Sequence, residues 1–163
     1  MKKTLFLLSL LCCLSVHSQT VTKTLHRQAV KTDVVTTGTL TVRTPDYVCI
    51  STDGDADQLI MDGTRFTMTM GGRRHVTDSR KNPQFATFRS VLHAVINGHP
   101  LPSGDDLTVE RRGSSTVITI TPVTKKKRQL FTSFVLTVDT KTNAFRVLRM
   151  NGRGSDYTEY TFK

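Results

Sequence analysis

The sequence has no tryptophan and only three cysteines, two of which, Cys12 and Cys13, fall in an apolar stretch near its N-terminus. Outside that stretch Cys49 stands alone, so an internal disulfide is excluded once the stretch is removed. Long apolar runs are equally scarce. The longest, "LFLLSLLCCLSV", is too short to span a bilayer as a helix. We therefore expect a fold held by packing alone, with no transmembrane helix.

The N-terminus has the pattern of a secretory signal peptide. Lys2 and Lys3 supply a basic segment, the apolar run follows, and "VHS" places small residues before a cleavage point after Ser18. We expect residues 1–18 to be removed and residues 19–163 to form a single domain. A chain of that length buries about two-thirds of its unfolded surface, so it can build a core without disulfides.

Acidic residues are in deficit, since 13 Asp and Glu stand against 23 Lys and Arg and give a formal net charge of +10. Removing Lys2 and Lys3 with the signal lowers this charge to +8. A basic surface suits nucleic acid, anionic lipid headgroups or an acidic protein, and export makes nucleic acid the weakest of these, so we expect none to bind.

The one charge run, "TKKKR", favours a solvated loop, with contact to an anionic headgroup or an acidic partner as the second interpretation. Its cations are Lys125, Lys126, Lys127 and Arg128.

What the sequence does contain is a succession of alternating segments rich in Thr and Val, such as "RFTMTM" and "TVITITP". This period of two is typical of strands that bury one face. Turn signals such as "DG", "GG" and "RRGSS" separate them, and we count about eight or nine strands, mostly antiparallel neighbours. One segment predicts an amphipathic helix over residues 83–97, with Asn82 as N-cap and Gly98 just past the end.

The geometry of these elements limits the fold. The predicted helix is about 22 Å long and 10–12 Å wide. Eight flat strands would span nearly 40 Å at about 4.8 Å per strand, with one apolar face. Because one helix cannot cover that face, the sheet must curl around the helix or close as a barrel. An incompletely filled curl would leave an apolar cavity.

Motifs for metal binding fail at specific positions. "DGDAD" begins like a calcium loop, but Gln58 replaces the required Gly and Thr64 the required Glu, so a hairpin turn is favoured. The remaining histidines have no ligand spacing, so we expect no metal and no cofactor. They are His26, His75, His93 and His99.

Catalytic motifs are also missing. No nucleophile elbow, phosphate loop or HExxH occurs in the sequence. Cys49 has no His or carboxylate beside it by motif, so it is interpreted as an inert strand residue. We expect a protein that is not an enzyme.

Taken in order, the segments resemble the LolA-like family of periplasmic lipoprotein carriers, and among them the shorter Bacteroidetes-type members. The resemblance is carried by "TTGTLTVRTPDYVCI", "LIMDGTRFTM", the helix, "ITITPVTKKKRQLFTSFVLTVD" and "MNGRGSDYTEYTF", which cover nearly all of residues 19–163. It implies a mainly β fold, an open and strongly curved antiparallel half-barrel with a helical lid over an apolar cavity.

By the same resemblance, the protein shields acyl chains of lipoproteins as they cross the periplasm. It would receive them from an inner-membrane release complex and deliver them to an outer-membrane acceptor. We expect it to act as a monomer. No covalent step is implied.

The apolar faces by themselves favour an ordinary core, whereas the resemblance makes them the lining of an acyl-binding cavity. The predicted lining consists of Leu40, Val42, Val48, Ile50, Phe66, Met68, Met70, Phe85, Phe88, Leu92, Ile118, Ile120, Phe134 and Leu136.

The sequence departs from the family pattern in three respects. The segment before the first family motif is short and reads as strand instead of a long helix. Thr44 precedes Pro45 where many carriers have an Arg, and Arg43 lies on the opposite face of its strand, which leaves it as a partner or headgroup contact instead of a gate. Ile50 stands where the family often has Trp.

These departures keep two alternatives open. The protein could carry a different lipid, such as a glycolipid or pigment-lipid intermediate, or it could be a secreted β-rich interaction domain with a filled core and no ligand.

Overall fold

The computed structural model describes residues 16–122 and 131–163, so the basic run at 125–128 lies outside the described residues. One antiparallel sheet dominates the described ranges. Its strands are β1 (Val16–His26), β2 (Val34–Arg43), β3 (Tyr47–Thr52), β4 (Asp57–Asp62), β5 (Arg65–Met70), β6 (Arg73–Asp78), β7 (Leu107–Arg112), β8 (Ser115–Ile120), β9 (Ser133–Asp139), β10 (Phe145–Asn151) and β11 (Tyr157–Phe162). A short 3-10 turn (Ser79–Lys81) precedes the helix α1 (Pro83–Asn97).

The helix begins and ends where its sequence signals predict. The Asn82 side chain accepts a hydrogen bond from the backbone N–H of Gln84 at 3.2 Å, and Pro83 occupies the first helical position, where no backbone donor is needed. At the other end, Gly98 adopts the left-handed conformation with φ 63° and donates its N–H to carbonyls of the last turn. Residues 83–97 are therefore confirmed as a helix.

The strands follow the order β6-β5-β4-β3-β2-β1-β11-β10-β9-β8-β7, so the two chain termini pair at the centre and β6 and β7 form open edges. The described ranges contain eleven strands, whereas the sequence predicts about eight or nine. The two edge strands, "RRHVTD" and "LTVERR", are largely exposed along their length and lack apolar alternation. Period-two patterns arise only where one face is buried, which is why these edges are hard to find from sequence.

The sheet is strongly curved around α1. Phe66 on β5 and Phe134 on β9 are seven strand spacings apart, which is about 34 Å on a flat sheet. Both rings nevertheless pack on the same helical residue, Phe85, at centroid distances of 4.3 Å and 5.9 Å. The predicted fold class, a curved open antiparallel sheet with one helix against its concave face, is confirmed.

One aromatic residue lies elsewhere than the alternation predicts. The pattern "QLFTSFVLTVD" assigns Phe131 to the face opposite Phe134, on a single long strand. Instead β9 begins at Ser133, and Phe131 precedes it, is 7% exposed and packs on Phe134 at 5.4 Å. Outside a strand the alternation of faces does not apply, so Phe131 is free to turn inward.

The N-terminal predictions fall mostly on undescribed residues. Residues 1–15 are outside the described ranges, and Val16–Ser18 form the exposed first three residues of β1, paired with the end of β2. Cleavage after Ser18 would leave the pairing from Gln19 onward in place. The signal peptide stays a prediction. Within residues 16–122 and 131–163, no helix is long and apolar enough to span a bilayer.

The turn between β9 and β10 is organised by Asp139. Its carboxylate accepts hydrogen bonds from Arg146 and from the backbone N–H groups of Lys141 and Thr142, each at 3.0 Å. The Arg146 guanidinium, followed by these N–H groups, holds the pKa of Asp139 well below its usual range. Arg80 likewise lowers the pKa of Asp78 to about 2.

This arrangement predicts acid-labile stability. Because the folded-state pKa values lie below those of the unfolded chain, the contribution is fully present above about pH 4 and is lost as the pH falls toward about 2. In urea unfolding across this window, D139N should show a shallower loss of stability than the wild type. Equal slopes would show that Asp139 does not titrate through this interaction.

Candidate functional site

The concave face of the sheet and the inner face of α1 enclose an apolar interior. It is lined by Leu40, Val48, Ile50, Leu59, Met61, Phe66, Phe88, Leu92, Leu136, Phe145, Leu148 and Phe162. The enclosed cavity measures only about 10 Å³, which is room for roughly one water-sized sphere. The cavity expected from the family resemblance is thus almost completely filled while α1 rests on the sheet.

The predicted lining residues fall into three groups. The first lines the interior and comprises Leu40, Val48, Ile50, Phe66, Phe88, Leu92 and Leu136. The second is buried in the surrounding core and comprises Val42, Phe85, Ile118, Ile120 and Phe134. The third, Met68 and Met70, lines a separate cleft at the end of the strands. Contact of any of these side chains with an acyl chain stays a prediction.

Five interior residues were not among the predicted lining residues. They are Leu59, Met61, Phe145, Leu148 and Phe162. Four lie at alternate positions of "DQLIMD", "FRVLRMN" and "YTEYTF", so period two was the available signal. Their part in the interior depends on the central pairing of β1 with β11, a long-range contact that local alternation does not encode.

A cluster of phenylalanines joins the helix to both halves of the sheet. Phe88 stacks on Phe134 at 4.6 Å and meets the edge of Phe66 at 6.0 Å. Each such aromatic pair adds about 0.5–1.5 kcal/mol beyond its buried area. These rings therefore contribute substantially to keeping α1 on the sheet.

Polar contacts fix the helix to the rim of the sheet. Arg89 donates from Nε to the carbonyl oxygen of Gly63 at 2.6 Å and lies 3.4 Å from the carboxylate of Asp46. At the C-terminal end, Asn97 donates to the carbonyl oxygen of Pro45 at 2.7 Å. These bonds join α1 to the β2–β3 and β4–β5 turns.

The arginine that reaches across this boundary is not the one near Pro45 in the sequence. Arg43 is exposed and lies over the Tyr47 ring at 3.8 Å, on the outer face of the β2–β3 pair. Arg89, on the helix, makes the contacts to the rim instead. No sequence signal indicated this, because the partners of Arg89 are brought near it only by the curvature of the sheet.

A buried ion pair crosses the concave face. Lys23 is 3% exposed and pairs with Asp57, which also accepts from the backbone N–H of Gly71 at 3.0 Å. The pattern "DGDAD" predicts that Asp57, its last residue, lies in a hairpin turn. It is instead the first residue of β4, while the hairpin turn itself is formed by residues 53–56.

This pair belongs to a polar layer, which we define as Lys23, Asp57, Thr36, Thr52 and Tyr160. Strand register places Lys23 opposite both Thr36 and Tyr160, and Asp57 opposite Thr52. The hydroxyls of Thr36 and Thr52 are buried without a hydrogen-bond partner among the described residues. Burial, aided by the charge of Asp57, raises the pKa of Tyr160, which keeps its phenol neutral.

A cleft at the end of the strands is much larger than the cavity of the apolar interior. It measures about 190 Å³ and is lined by Arg27, Met68, Met70, Arg73, His75, Phe131, Met150, Gly152, Tyr157 and Thr158. We call it the Met-Arg cleft. A depression of about 200 Å³ lies beside the other edge of the sheet, near Val109, and has a single arginine, Arg111.

Cys49 lies on the outer face of β3, opposite in direction to Val48 and Ile50. Burial raises the pKa of its thiol, so less of the reactive thiolate forms near neutral pH. Among the described residues, no three His, Cys, Asp or Glu side chains are grouped to hold a metal ion.

No protein-family model and no curated protein matches the chain. Among solved structures, a LolA superfamily protein from Nitrosomonas europaea aligns over 93% of this chain and 85% of its own, with 6% identity and a TM-score of 0.35. A DUF1329 family protein from Desulfovibrio piger aligns over 93% of this chain and 85% of its own, with 11% identity and a TM-score of 0.42. The lipoprotein LppX of Mycobacterium tuberculosis aligns over 93% of this chain and 86% of its own, with 14% identity and a TM-score of 0.35. These scores are too low to establish a common fold.

Proposed function

We propose that the protein is an exported, periplasmic carrier of acylated cargo, with lipoproteins as the primary cargo. It would bind acyl chains between the concave sheet and α1 and carry them from an inner-membrane release complex to an outer-membrane acceptor. No covalent step is part of the proposal. The order of sequence motifs that resembles LolA-like carriers supports it, as does the architecture of the interior.

One observation carries the proposal: in the described part of the chain, a single helix of 15 residues is the only helix that packs on the concave apolar face of an eleven-stranded sheet. Flat, that sheet would be about 48 Å across. Five apolar side chains of α1 are buried in its interior. These are Phe85, Phe88, Val91, Leu92 and Val95. Displacing the helix would open the interior without breaking any pair of strands.

The free energy lost when the helix face leaves the interior is similar to the free energy gained when an acyl chain enters it. Exposing five buried apolar side chains costs roughly 7–15 kcal/mol, at about 1.5–3 kcal/mol each. Burying an acyl chain of about 14 methylenes gains about 11 kcal/mol, at about 0.8 kcal/mol per methylene. Replacement of the helix face by an acyl chain is thus close to balanced, which suits a carrier that must also release its cargo.

The cavity of about 10 Å³ favours a second candidate, a secreted β-rich interaction domain with a permanently filled core. A carrier of another lipid, such as a glycolipid or pigment-lipid intermediate, is the third. Native mass spectrometry of protein purified from its own periplasm separates these. An acylated lipoprotein supports the first, a smaller lipid mass supports the third, and a clean apo mass with no binding of added acyl probe supports the second.

The helix-to-rim contacts give a sharper test. If acyl chains enter by displacing α1, R89A should bind a triacylated lipopeptide about tenfold faster than the wild type, since the contacts of Arg89 with Gly63 and Asp46 that hold the helix are removed. Stopped-flow fluorescence, with an environment-sensitive fluorophore on the lipopeptide, would measure this without altering the packed interior.

The matched control is R80A, which removes the same charge near the start of α1 but loses only the ion pair with Asp78. It should bind at the wild-type rate. If neither wild type nor R89A takes up lipopeptide stoichiometrically while both remain folded by circular dichroism, the carrier proposal is contradicted and the filled-core candidate stands.

A further inference from the structure

The Met-Arg cleft has one wall made by the edge hairpin of β5 and β6. Strand register pairs Met68 with His75 and Met70 with Arg73. In each strand the two residues are two positions apart, so all four project from the same face. This wall therefore has methionine side chains on the inner strand and cationic or hydrogen-bonding groups on the edge strand.

The opposite wall is made by β10, β11 and the segment before β9. Met150 pairs with Thr158 across β10 and β11, and Phe131 packs nearby on Phe134. Met150 is fully buried, and Phe131 is 7% exposed. Methionine and aromatic side chains thus make this wall largely apolar, and methionine side chains adapt to irregular ligands.

The cleft continues the apolar interior along the strand direction. On β5, Phe66 lines the interior and Met68 lines the cleft; on β10, Leu148 and Met150 are divided in the same way. In both strands the two residues are two positions apart, a step of about 7 Å. An elongated apolar molecule could therefore pass from one space into the other along these strands.

The charge of the cleft has one sign. Its basic lining residues are Arg27, Arg73 and His75, and no carboxylate lines it in the described part of the chain. Arg27 is already paired with Asp156 at 3.2 Å. The side chain of Arg73 makes no hydrogen bond or ion pair with any described residue, whereas its backbone pairs with Met70 in the sheet. The two arginines argue against a cationic ligand at the methionines, whereas an anion would supply the counter-charge that Arg73 lacks.

We propose that the Met-Arg cleft binds the anionic headgroup, a carboxylate or phosphate, of an acyl-chain amphiphile whose chain extends between the sheet and α1. Arg73 holds the anion, with His75 as a hydrogen-bond donor beside it, and the methionines contact the first methylenes. This inference rests on the proposed function, because it assumes that the interior opens to an acyl chain. It defines the third candidate more narrowly, as a carrier of amphiphiles with an anion at the head of the chain, because the acyl chains of a lipoprotein are attached through neutral ester and amide bonds.

The test is a calorimetric titration of the full-length mature protein with two ligands of equal chain length, hexadecanoate and hexadecanol, each below its aggregation threshold. The variants are R73Q and the matched control R74Q. Arg74 is the next residue of β6, so its side chain points to the other face, and the change in net charge is the same. Circular dichroism verifies that both variants are folded.

The wild type should bind hexadecanoate about tenfold more tightly than hexadecanol, and R73Q should remove that difference while R74Q keeps it. Equal affinities for the two ligands, with no effect of R73Q, would overturn the headgroup site and leave the acyl carrier intact. Binding of inorganic phosphate alone at the affinity of hexadecanoate would also overturn it, since the site would then recognise a free anion. Absence of binding by either chain would contradict the proposed function itself.

Discussion

Replacing Gly38 with alanine should destabilise the fold by about 3 kcal/mol, the upper end of what overpacking costs. Gly38 lies in the middle of β2, directly opposite Thr52 on β3. A Cβ atom added there would overlap the carbonyl oxygen of Ser51 and lie 2.7 Å from the Cα atom of Thr52. Because both neighbours are backbone atoms, neither can move without separating the two strands.

The requirement at Gly38 is steric, since its φ is not in the left-handed region. Urea unfolding of G38A, compared with G104A, would measure the effect. Gly104 lies in an exposed loop, and a Cβ there meets only a side-chain oxygen of Asp106, which can rotate away. Similar midpoints for the two variants would show that β2 and β3 tolerate a wider spacing than the sheet has here.

The buried ion pair should respond unequally to the loss of each partner. D57N should cost about 3 kcal/mol or more, because it leaves the ammonium of Lys23, 3% exposed, without a counter-charge. K23M should cost only about 1 kcal/mol, because the carboxylate left behind is 16% exposed and keeps the hydrogen bond from the Gly71 N–H.

The double variant K23M/D57N provides the control for this asymmetry. It contains no unpaired charge, so it should be more stable than D57N alone although it carries one further substitution. Thermal and urea unfolding of the four proteins complete the cycle. If D57N and K23M lose the same stability, the ammonium of Lys23 reaches solvent and the pair is not buried in solution.

The ion pair also makes part of the concave face polar. Lys23 and Asp57 lie level with Tyr160, between the apolar interior at Phe162 and the Met-Arg cleft at Thr158. The β1–β4 side of this passage is therefore polar. An acyl chain would pass along the opposite side, past Met68 and Met150. If the protein carries acyl chains as proposed, the ion pair would determine the side of the interior on which they lie.

Much of the fold could be predicted because its signals are local. Asn82, Pro83 and Gly98 define the helix through capping chemistry that acts within a few residues. The inner faces of β5 and β9 follow from alternation alone. Geometry then required the sheet to curl, since one helix cannot cover it flat.

Other features depend on contacts between distant residues, and local patterns contain no information about them. From its sequence position Lys23 resembles a solvated strand residue. Its partner Asp57 lies three strands away in the sheet, so only the curved tertiary structure brings the two together. Arg89 looks like an ordinary polar position on a helix until the curvature brings Gly63 and Asp46 against it. The Met-Arg cleft likewise joins β5 and β6 to β10 and β11, which only the curled sheet brings face to face.

By itself, then, the sequence determined the class of fold, the helix and the identity of the apolar faces, because capping and periodicity are short-range effects. Only the tertiary structure decided that the interior is filled by α1, that an ion pair crosses the concave face, and that cationic groups meet at one end of it. These features arise from curvature, and the curvature results from packing a wide apolar sheet around one short helix.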